Sequence, residues 1–157
     1  MKQPRKYAYP ARYTSELHQA IKAGAAEAES RSINAHISKL LGDSLMRYPV
    51  LHCLPVVLQQ ADTSFGIRIP YELHDDLTAA AMTADSERSF NQEIVGRLML
   101  MTNPSRQTLI DAWSQLNQAI SHLIKNQGPN TLCAHELQKK RESFEWHLKH
   151  TLAVESV

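Results

Sequence analysis

The chain has 157 residues, of which 43% are hydrophobic, and it carries 17 Lys and Arg against 16 Asp and Glu, as expected for a soluble globular protein with one ordinary or two small domains. It has no run of about 18 apolar residues and no apolar segment in its first ten residues, so neither a membrane span nor a signal peptide is expected. Cys53 and Cys133 are too few for a disulfide framework, so we expect a cytoplasmic protein.

The charge is unevenly divided along the chain. Residues 1–50 hold eight Lys and Arg against four acids, residues 51–103 hold three against seven, and the remainder holds six against five. A basic first third is compatible with a polyanionic partner. The net charge of +1 is, by itself, weak evidence for nucleic-acid binding.

The first predicted unit covers residues 1–45. A strand at roughly Ala8–Tyr13 precedes a helix with Leu17 and Ile21 on its apolar stripe, and a second helix of similar pattern follows. Pro10 lies inside the strand, where proline removes a ladder hydrogen bond. We therefore expect either a shifted register, or a short strand that makes the outer surface asymmetric.

Residues 46–63 are predicted to form a linker. The segment contains Leu51, Leu54 and the apolar run 56–58, so it differs from a flexible Gly/Ser tether. We expect part of it to pack on the helices.

The second predicted unit covers residues 64–103 and has the clearer pattern. Apolar residues alternate with small or charged ones in the strand Ser64–Ile69, and Pro70 is expected to end the strand and open a helix. Ser89 followed by Gln92 is a capping box that predicts the start of the next helix.

The two units repeat one pattern. Glu16-Leu17-His18 matches Glu72-Leu73-His74 at an offset of 56, and Arg31-Ser32-x-Asn34 matches Arg88-Ser89-x-Asn91 at an offset of 57. The repeated element is one strand followed by two short helices, which is too small to bury its apolar face alone. We therefore expect the two copies to fold against each other through paired strands.

The repeated pattern, strand-Pro-x-Glu-Leu, then a helix, then Arg-Ser-x-Asn-x-Glu-Ile-x-x-Arg-Leu, resembles the Arc/MetJ ribbon-helix-helix family of DNA-binding proteins. Residues 64–101 match nearly throughout, and residues 8–45 match less well. Two units in one chain resemble the tandem arrangement of the conjugative-plasmid TraY proteins. The resemblance implies a mainly α fold in which both units pair a two-stranded antiparallel ribbon, and this ribbon enters the DNA major groove.

The resemblance also implies which residues contact DNA. Outward-facing strand residues would contact base edges, and arginine is the side chain best suited to guanine. The implied base-contacting residues are Arg12, Arg68, Ser64, Gly66 and Lys6. The first turn of the second helix in each unit would contact phosphates through Ser32, Ile33, Asn34, Ser89, Phe90 and Asn91. The alternative is that the arginines lie on a solvated sheet face and the serines are ordinary helix caps.

Arg88, Glu93 and Arg97 resemble the buried charged triad of the Arc repressor, which implies a structural role. The alternative is a surface pair of Glu93 and Arg97 at i, i+4 spacing. The first unit has His36 and Leu40 at the corresponding positions, so Arg31 has no matching carboxylate there.

Residues 104–157 are predicted to contain a helical hairpin over residues 105–152. Its first helix has a coiled-coil seam, a turn cluster lies at residues 126–130, and a second helix follows. The seam consists of Leu109, Trp113, Leu116, Ile120 and Leu123. Such a thin core indicates a homo-oligomer through these helices, a second protein partner, or a hairpin that only pads the rest of the chain.

These features predict a sequence-specific binder of double-stranded DNA, acting as a repressor or as a plasmid or phage DNA-processing factor in the bacterial cytoplasm. One alternative is an antitoxin whose C-terminal helices bind a partner, although residues 105–152 look pre-organised and antitoxin tails tend to be disordered alone. Another is a ribbon-helix-helix interaction protein without DNA binding. No catalytic motif is present, and we expect no cofactor and no membrane partner. Cys133-x-His135 is poorly spaced for zinc, so we expect no metal.

Overall fold

The computed structural model describes residues 5–28, 32–51, 61–83, 88–127 and 132–154, with side chains described as far as residue 126 and again over residues 133–148. Within these ranges the chain is mainly helical, with six helices and one two-stranded antiparallel sheet. Two compact units are formed, Met1–Asn103 and Pro104–Val157. None of the described helices is long and apolar enough to cross a membrane.

The first unit contains the order strand, helix, helix twice. The elements are β1 (Lys6–Tyr13), α1 (Ser15–Glu27), α2 (Ile33–Arg47), β2 (Thr63–Pro70), α3 (Tyr71–Thr83) and α4 (Phe90–Met101). β1 pairs with β2 in antiparallel register, as the sequence predicts. Strand β1 begins two residues before the predicted start, and Pro70 closes β2 so that α3 begins at Tyr71.

Helix starts follow from local capping chemistry. The Thr14 side chain accepts a hydrogen bond from the Leu17 amide at 3.3 Å and begins α1. Ser32 accepts from Ala35 at 3.2 Å and begins α2. At α4, Ser89 and Gln92 form the complete capping box that the sequence predicts.

One apolar core lies beneath the sheet. The inner faces of both strands and the apolar stripes of all four helices contribute to it, as their periodicity predicts. Its fully buried members are Ala11, Tyr13, Ile21, Ile37, Leu41, Ile67, Ile69, Leu77, Ile94 and Leu98. Burying a side chain of this size contributes about 1.5–3 kcal/mol, so the core fixes which strand face points outward.

The predicted linker, residues 46–63, is partly described. Helix α2 continues to Arg47, so its last two residues lie in the predicted linker. Tyr48 and Leu51 are buried, so this part of the segment packs on the rest of the unit. Residues 52–60, including Leu54 and the whole apolar run 56–58, lie outside the described residues.

The second unit is a pair of helices, α5 (Pro104–Gln127) and α6 (Leu132–Val154), which correspond to the predicted hairpin. The predicted seam is only partly correct. Trp113 and Ile120 are buried, together with Ile110, and Trp113 stacks on Phe144 at 5.2 Å between ring centroids. The three predicted seam leucines are instead 36–45% exposed, and Ile110 is buried where the seam predicts burial of its neighbour Leu109.

Candidate functional site

The outer face of the ribbon is an exposed surface of small and basic side chains. The seven residues are Lys6, Ala8, Pro10, Arg12, Ser64, Gly66 and Arg68, and all seven are exposed. Their neighbours along each strand point into the core, because successive strand residues alternate between faces. All five predicted base-contacting residues therefore share one surface, which we call the ribbon face.

The ribbon has an internal two-fold centre. Pro10 pairs with Gly66, and these are also the residues related by the repeat offset of 56. On one side of this centre Arg12 pairs with Ser64, and on the other Arg68 pairs with Ala8. Because strands rise by about 3.4 Å per residue, the two arginine Cα atoms lie roughly 13 Å apart along the ribbon.

Each arginine backbone is held by an asparagine from the other repeat. Asn91 Oδ1 accepts a hydrogen bond from the Arg12 amide, and Asn91 Nδ2 donates to the Arg12 carbonyl, both at 2.9 Å. Asn34 Oδ1 accepts from the Arg68 amide at 2.7 Å, and Ser38 Oγ donates to the Arg68 carbonyl at 3.4 Å. The amides of both asparagines, predicted to contact phosphate, are thus engaged with the ribbon edges and position the arginines.

The same hydrogen bonds explain Pro10. Hydrogen-bonded and non-hydrogen-bonded pairs alternate in an antiparallel ladder. Arg12 directs its amide outward to Asn91, so Arg12–Ser64 is a non-hydrogen-bonded pair, and so is Pro10–Gly66 two residues away. The Pro10 nitrogen therefore faces the outer edge, where a missing N–H removes no ladder bond. The expectation of a shifted register or a short strand is wrong, since β1 keeps all eight residues in symmetric register.

The two helix starts flanking the ribbon differ in their capping: α4 has a capping box and α2 does not. At α4 the Ser89 amide donates to Gln92 Oε1 at 2.8 Å, so the capping box occupies it. At α2 the residue corresponding to Gln92 is Ala35, whose side chain has no acceptor for the Ser32 amide. The side chains of Ile33 and Phe90 pack toward the core, so these residues present only backbone groups at the helix starts.

The two ends of the ribbon face differ in charge. Lys6 is exposed at one end, and its repeat partner at the other end is Asp62. The Asp62 carboxylate accepts hydrogen bonds from the Ser15 amide at 2.6 Å and the Ser15 hydroxyl at 2.9 Å. These bonds with Ser15 hold the pKa of Asp62 below its ordinary value of 3.8. Nothing in the sequence pattern indicated this pairing.

A histidine from each repeat packs against aromatic residues under the ribbon. His18 and His74 are equivalent in the repeat, and their rings lie 5.2 Å from Phe65 and 4.0 Å from Tyr7, respectively. Tyr13 Oη and His18 Nδ1 are hydrogen-bonded at 3.0 Å. Burial raises the pKa of Tyr13 to about 12. The repeated Glu-Leu-His pattern could have identified the two histidines as a matched pair.

The charged triad is assembled and buried. Glu93 bridges Arg97 Nε at 2.7 Å and Arg88 Nη1 at 3.1 Å, with 1% of its side chain exposed. Arg97 also donates to Ser44 Oγ and the Tyr48 carbonyl, both at 2.9 Å. Burial lowers the pKa of Arg97, and the Glu93 carboxylate opposes this shift.

Sequence reasoning missed the second half of this network. Arg97 reaches the Pro49 carbonyl at 3.4 Å, and Arg88 donates to the Leu51 carbonyl. The triad, formed by Arg88 and by Glu93 and Arg97 of α4, therefore binds the segment that follows α2. Arg31, the counterpart of Arg88, lies outside the described residues.

Among the described residues, no group of three or more His, Cys, Asp and Glu side chains is placed to hold a metal ion. Comparison with known protein families, with curated proteins and with solved structures finds no match to this chain.

Proposed function

We propose that this chain is a sequence-specific double-stranded DNA-binding protein of the ribbon-helix-helix type, in which one polypeptide supplies both halves. The observation that carries the proposal is the placement of Arg12 and Arg68, exposed at equivalent distances from the Pro10–Gly66 centre. Their backbones are fixed by Asn91 and Asn34. Two arginines with fixed backbones, on a surface whose other side chains apart from Lys6 are small, match the needs of base recognition better than those of a solvated sheet.

The physical fit to DNA is direct. A two-stranded ribbon has the width of the major groove of B-DNA. The small side chains of Ala8, Ser64 and Gly66 allow the backbone to approach the groove floor. Arginine makes two hydrogen bonds to guanine, and each such contact is worth about 1–3 kcal/mol of discrimination. Ribbon approach along the groove would bring the α2 and α4 starts toward the flanking phosphates.

Such a protein acts as a transcriptional repressor or as an accessory factor in plasmid or phage DNA processing, within the bacterial cytoplasm. Both roles use the same ribbon face.

The test is selection of bound sequences from a random duplex DNA pool at physiological salt. Wild type is compared with R12A, R68A and S89A, and K22A is the matched control because Lys22 is an exposed cation on α1. We expect wild type and K22A to enrich one motif, R12A and R68A to lose preference at defined positions, and S89A to weaken binding evenly. An unchanged motif in both arginine variants refutes the proposal.

We propose oligomerisation as the role of the α5–α6 unit. Leu109, Leu116 and Leu123 are partly exposed and recur every seven residues, as in a coiled-coil seam. Sedimentation equilibrium of wild type and L116E tests this. We expect an oligomer that dissociates in L116E, and a wild-type monomer would overturn it.

A partner protein bound by the α5–α6 unit is the second candidate, and Phe144 and Trp146 of α6, exposed by 46% and 56%, favour it. The wild-type chain would then be a monomer on its own, and affinity capture with the α5–α6 unit intact would recover one partner that L116E loses.

A further inference from the structure

We propose that the two halves of the ribbon face bind DNA unequally, with the half around Arg68 as the anchoring half, so the recognised site is non-palindromic. This inference rests on the proposed function and adds its specificity. The Arg68 half consists of Arg68, Ala8 and Lys6, and the Arg12 half consists of Arg12, Ser64 and Asp62.

The first difference lies beside each arginine. Arg68 pairs across the ribbon with Ala8, and Arg12 pairs with Ser64. A methyl group favours contact with the thymine methyl, whereas a serine hydroxyl donates to or accepts from any base. The Arg68 half should therefore select guanine with a neighbouring thymine. The Arg12 half should select guanine and tolerate its neighbours.

The second difference is charge at the two ends. The Arg68 half carries Lys6 and Arg68, two cations with no acid among its three residues. In the Arg12 half the Asp62 carboxylate, exposed and held by Ser15, offsets the one cation. Because phosphate contacts dominate affinity for DNA, the Arg68 half is the more strongly attracted of the two.

The third difference is the capping of the helix start next to each half, and it also favours DNA binding by the Arg68 half. Asn34, in the first turn of α2, holds the Arg68 backbone, and the neighbouring Ser32 amide has no capping-box acceptor because residue 35 is alanine. Asn91, in the first turn of α4, holds Arg12, and there the Ser89 amide is occupied by Gln92.

The centre of the site should carry little information. Pro10 and Gly66 face each other at the two-fold centre, and neither has a side chain that donates or accepts a hydrogen bond. The arginines lie roughly 13 Å apart along the ribbon, which corresponds to about four base-pair steps at about 3.4 Å each. We expect two unequal half-sites around a weakly specified centre.

The experiment uses the full chain and a random duplex DNA pool, with the variants R12A, R68A, S64A and D62N. S64A makes the residue beside each arginine the same, and D62N removes the opposing charge. K22A is the charge control, and thermal denaturation confirms that each variant is folded. One arginine–guanine contact corresponds to about 5- to 150-fold in affinity. Each arginine variant should therefore weaken binding to the wild-type site by a factor in this range, and the factor for R68A should exceed the factor for R12A.

The expected result is an asymmetric wild-type motif that becomes more nearly palindromic in S64A, with D62N increasing affinity for the weaker half-site. A symmetric wild-type motif with equal losses in R12A and R68A overturns the inference and leaves the proposed function standing. A motif with more information at the Arg12 half also overturns it. Absence of any enriched motif refutes the proposed function, and the inference with it.

Discussion

Replacing Glu93 with alanine removes the only carboxylate from a buried cluster of three charges. Arg97 is fully buried, and Arg88 is almost so, with 8% of its side chain exposed. After the substitution Arg97 keeps Ser44 and backbone carbonyls as hydrogen-bond acceptors. These acceptors are neutral, so they satisfy its donors without compensating its charge.

The expected cost follows from this geometry. Removing one partner of a buried ion pair costs about 3–5 kcal/mol, because the other charge stays buried and uncompensated. Because the neutral acceptors remain, we expect the loss of stability in E93A to lie at the low end of this range, about 3 kcal/mol. In a unit of this size 1 kcal/mol shifts Tm by about 4–8 °C, so we expect Tm to fall by about 12 °C or more.

The assay uses circular dichroism to monitor thermal and urea unfolding of the full chain. E27A is the matched control, since Glu27 is exposed at the end of α1 and should change stability by less than about 0.5 kcal/mol. E93Q keeps the side-chain volume and one acceptor, so we expect a loss between those of E27A and E93A. Equal Tm values for E93A and E27A would show that the triad does not stabilise the fold.

The remaining predictions concern the ribbon and its underside. N34A and N91A should each destabilise the unit by about 1–2 kcal/mol, because each removes the acceptor of one arginine amide. Hydrogen exchange measured by NMR should be faster at Arg68 in N34A and at Arg12 in N91A, and unchanged exchange would contradict this. The folded-state pKa of Asp62 is lowered, so its stabilisation is present above its ordinary pKa of 3.8 and disappears as pH falls through the lowered value. The Tm difference between wild type and D62N should therefore vanish in acid. A Tm difference that remains at the lowest pH would refute this prediction. The pKa of Tyr13 is raised from 10.0 to about 12, so the unfolded chain loses this proton at lower pH than the folded chain does. Denaturation scans should therefore show that wild type loses stability between pH 10.0 and about 12, and that Y13F loses less over the same range.

The ribbon could be predicted from the sequence because its signals are local. Alternation in Ser64–Ile69 identifies the outward positions, and the repeat offset identifies their counterparts in β1. The capping box at Ser89 required only residues three apart. Each signal depends on backbone periodicity, which one strand or one helical turn determines by itself.

The residues that hold the site together could not be predicted in the same way. The repeat pattern identifies Asn34 and Asn91 as equivalent positions, but the backbone amides that donate to their side chains lie 34 and 79 residues away in the chain. An asparagine in the first turn of a helix suits a phosphate and a strand edge equally, and only the paired ribbon decides between them. The seam of α5 was only partly correct, since the heptad spacing assigns Leu109 to the buried face, whereas Ile110 is the buried residue of the two.

The differences between the two repeats have a common physical origin in their being one chain. In a symmetric homodimer every substitution occurs twice, so the central pair would be two prolines or two glycines. Here one of each meets at Pro10–Gly66, which lets one strand be stiffened while the other remains permissive.

The cores of the two repeats also differ from each other. Glu93 of the second repeat belongs to a triad that binds the segment following α2, and this segment connects the two repeats. Its counterpart His36 faces Gly24, where a β-carbon would lie 2.8 Å from the ring nitrogen. The counterpart of Gly24 in the second repeat is Ala80, and the counterpart of His36 there is Glu93. Because both repeats belong to one chain, a substitution in one half of the core or of the ribbon face leaves the other half unchanged. The two halves of the ribbon face can therefore differ, as the two halves of the core do.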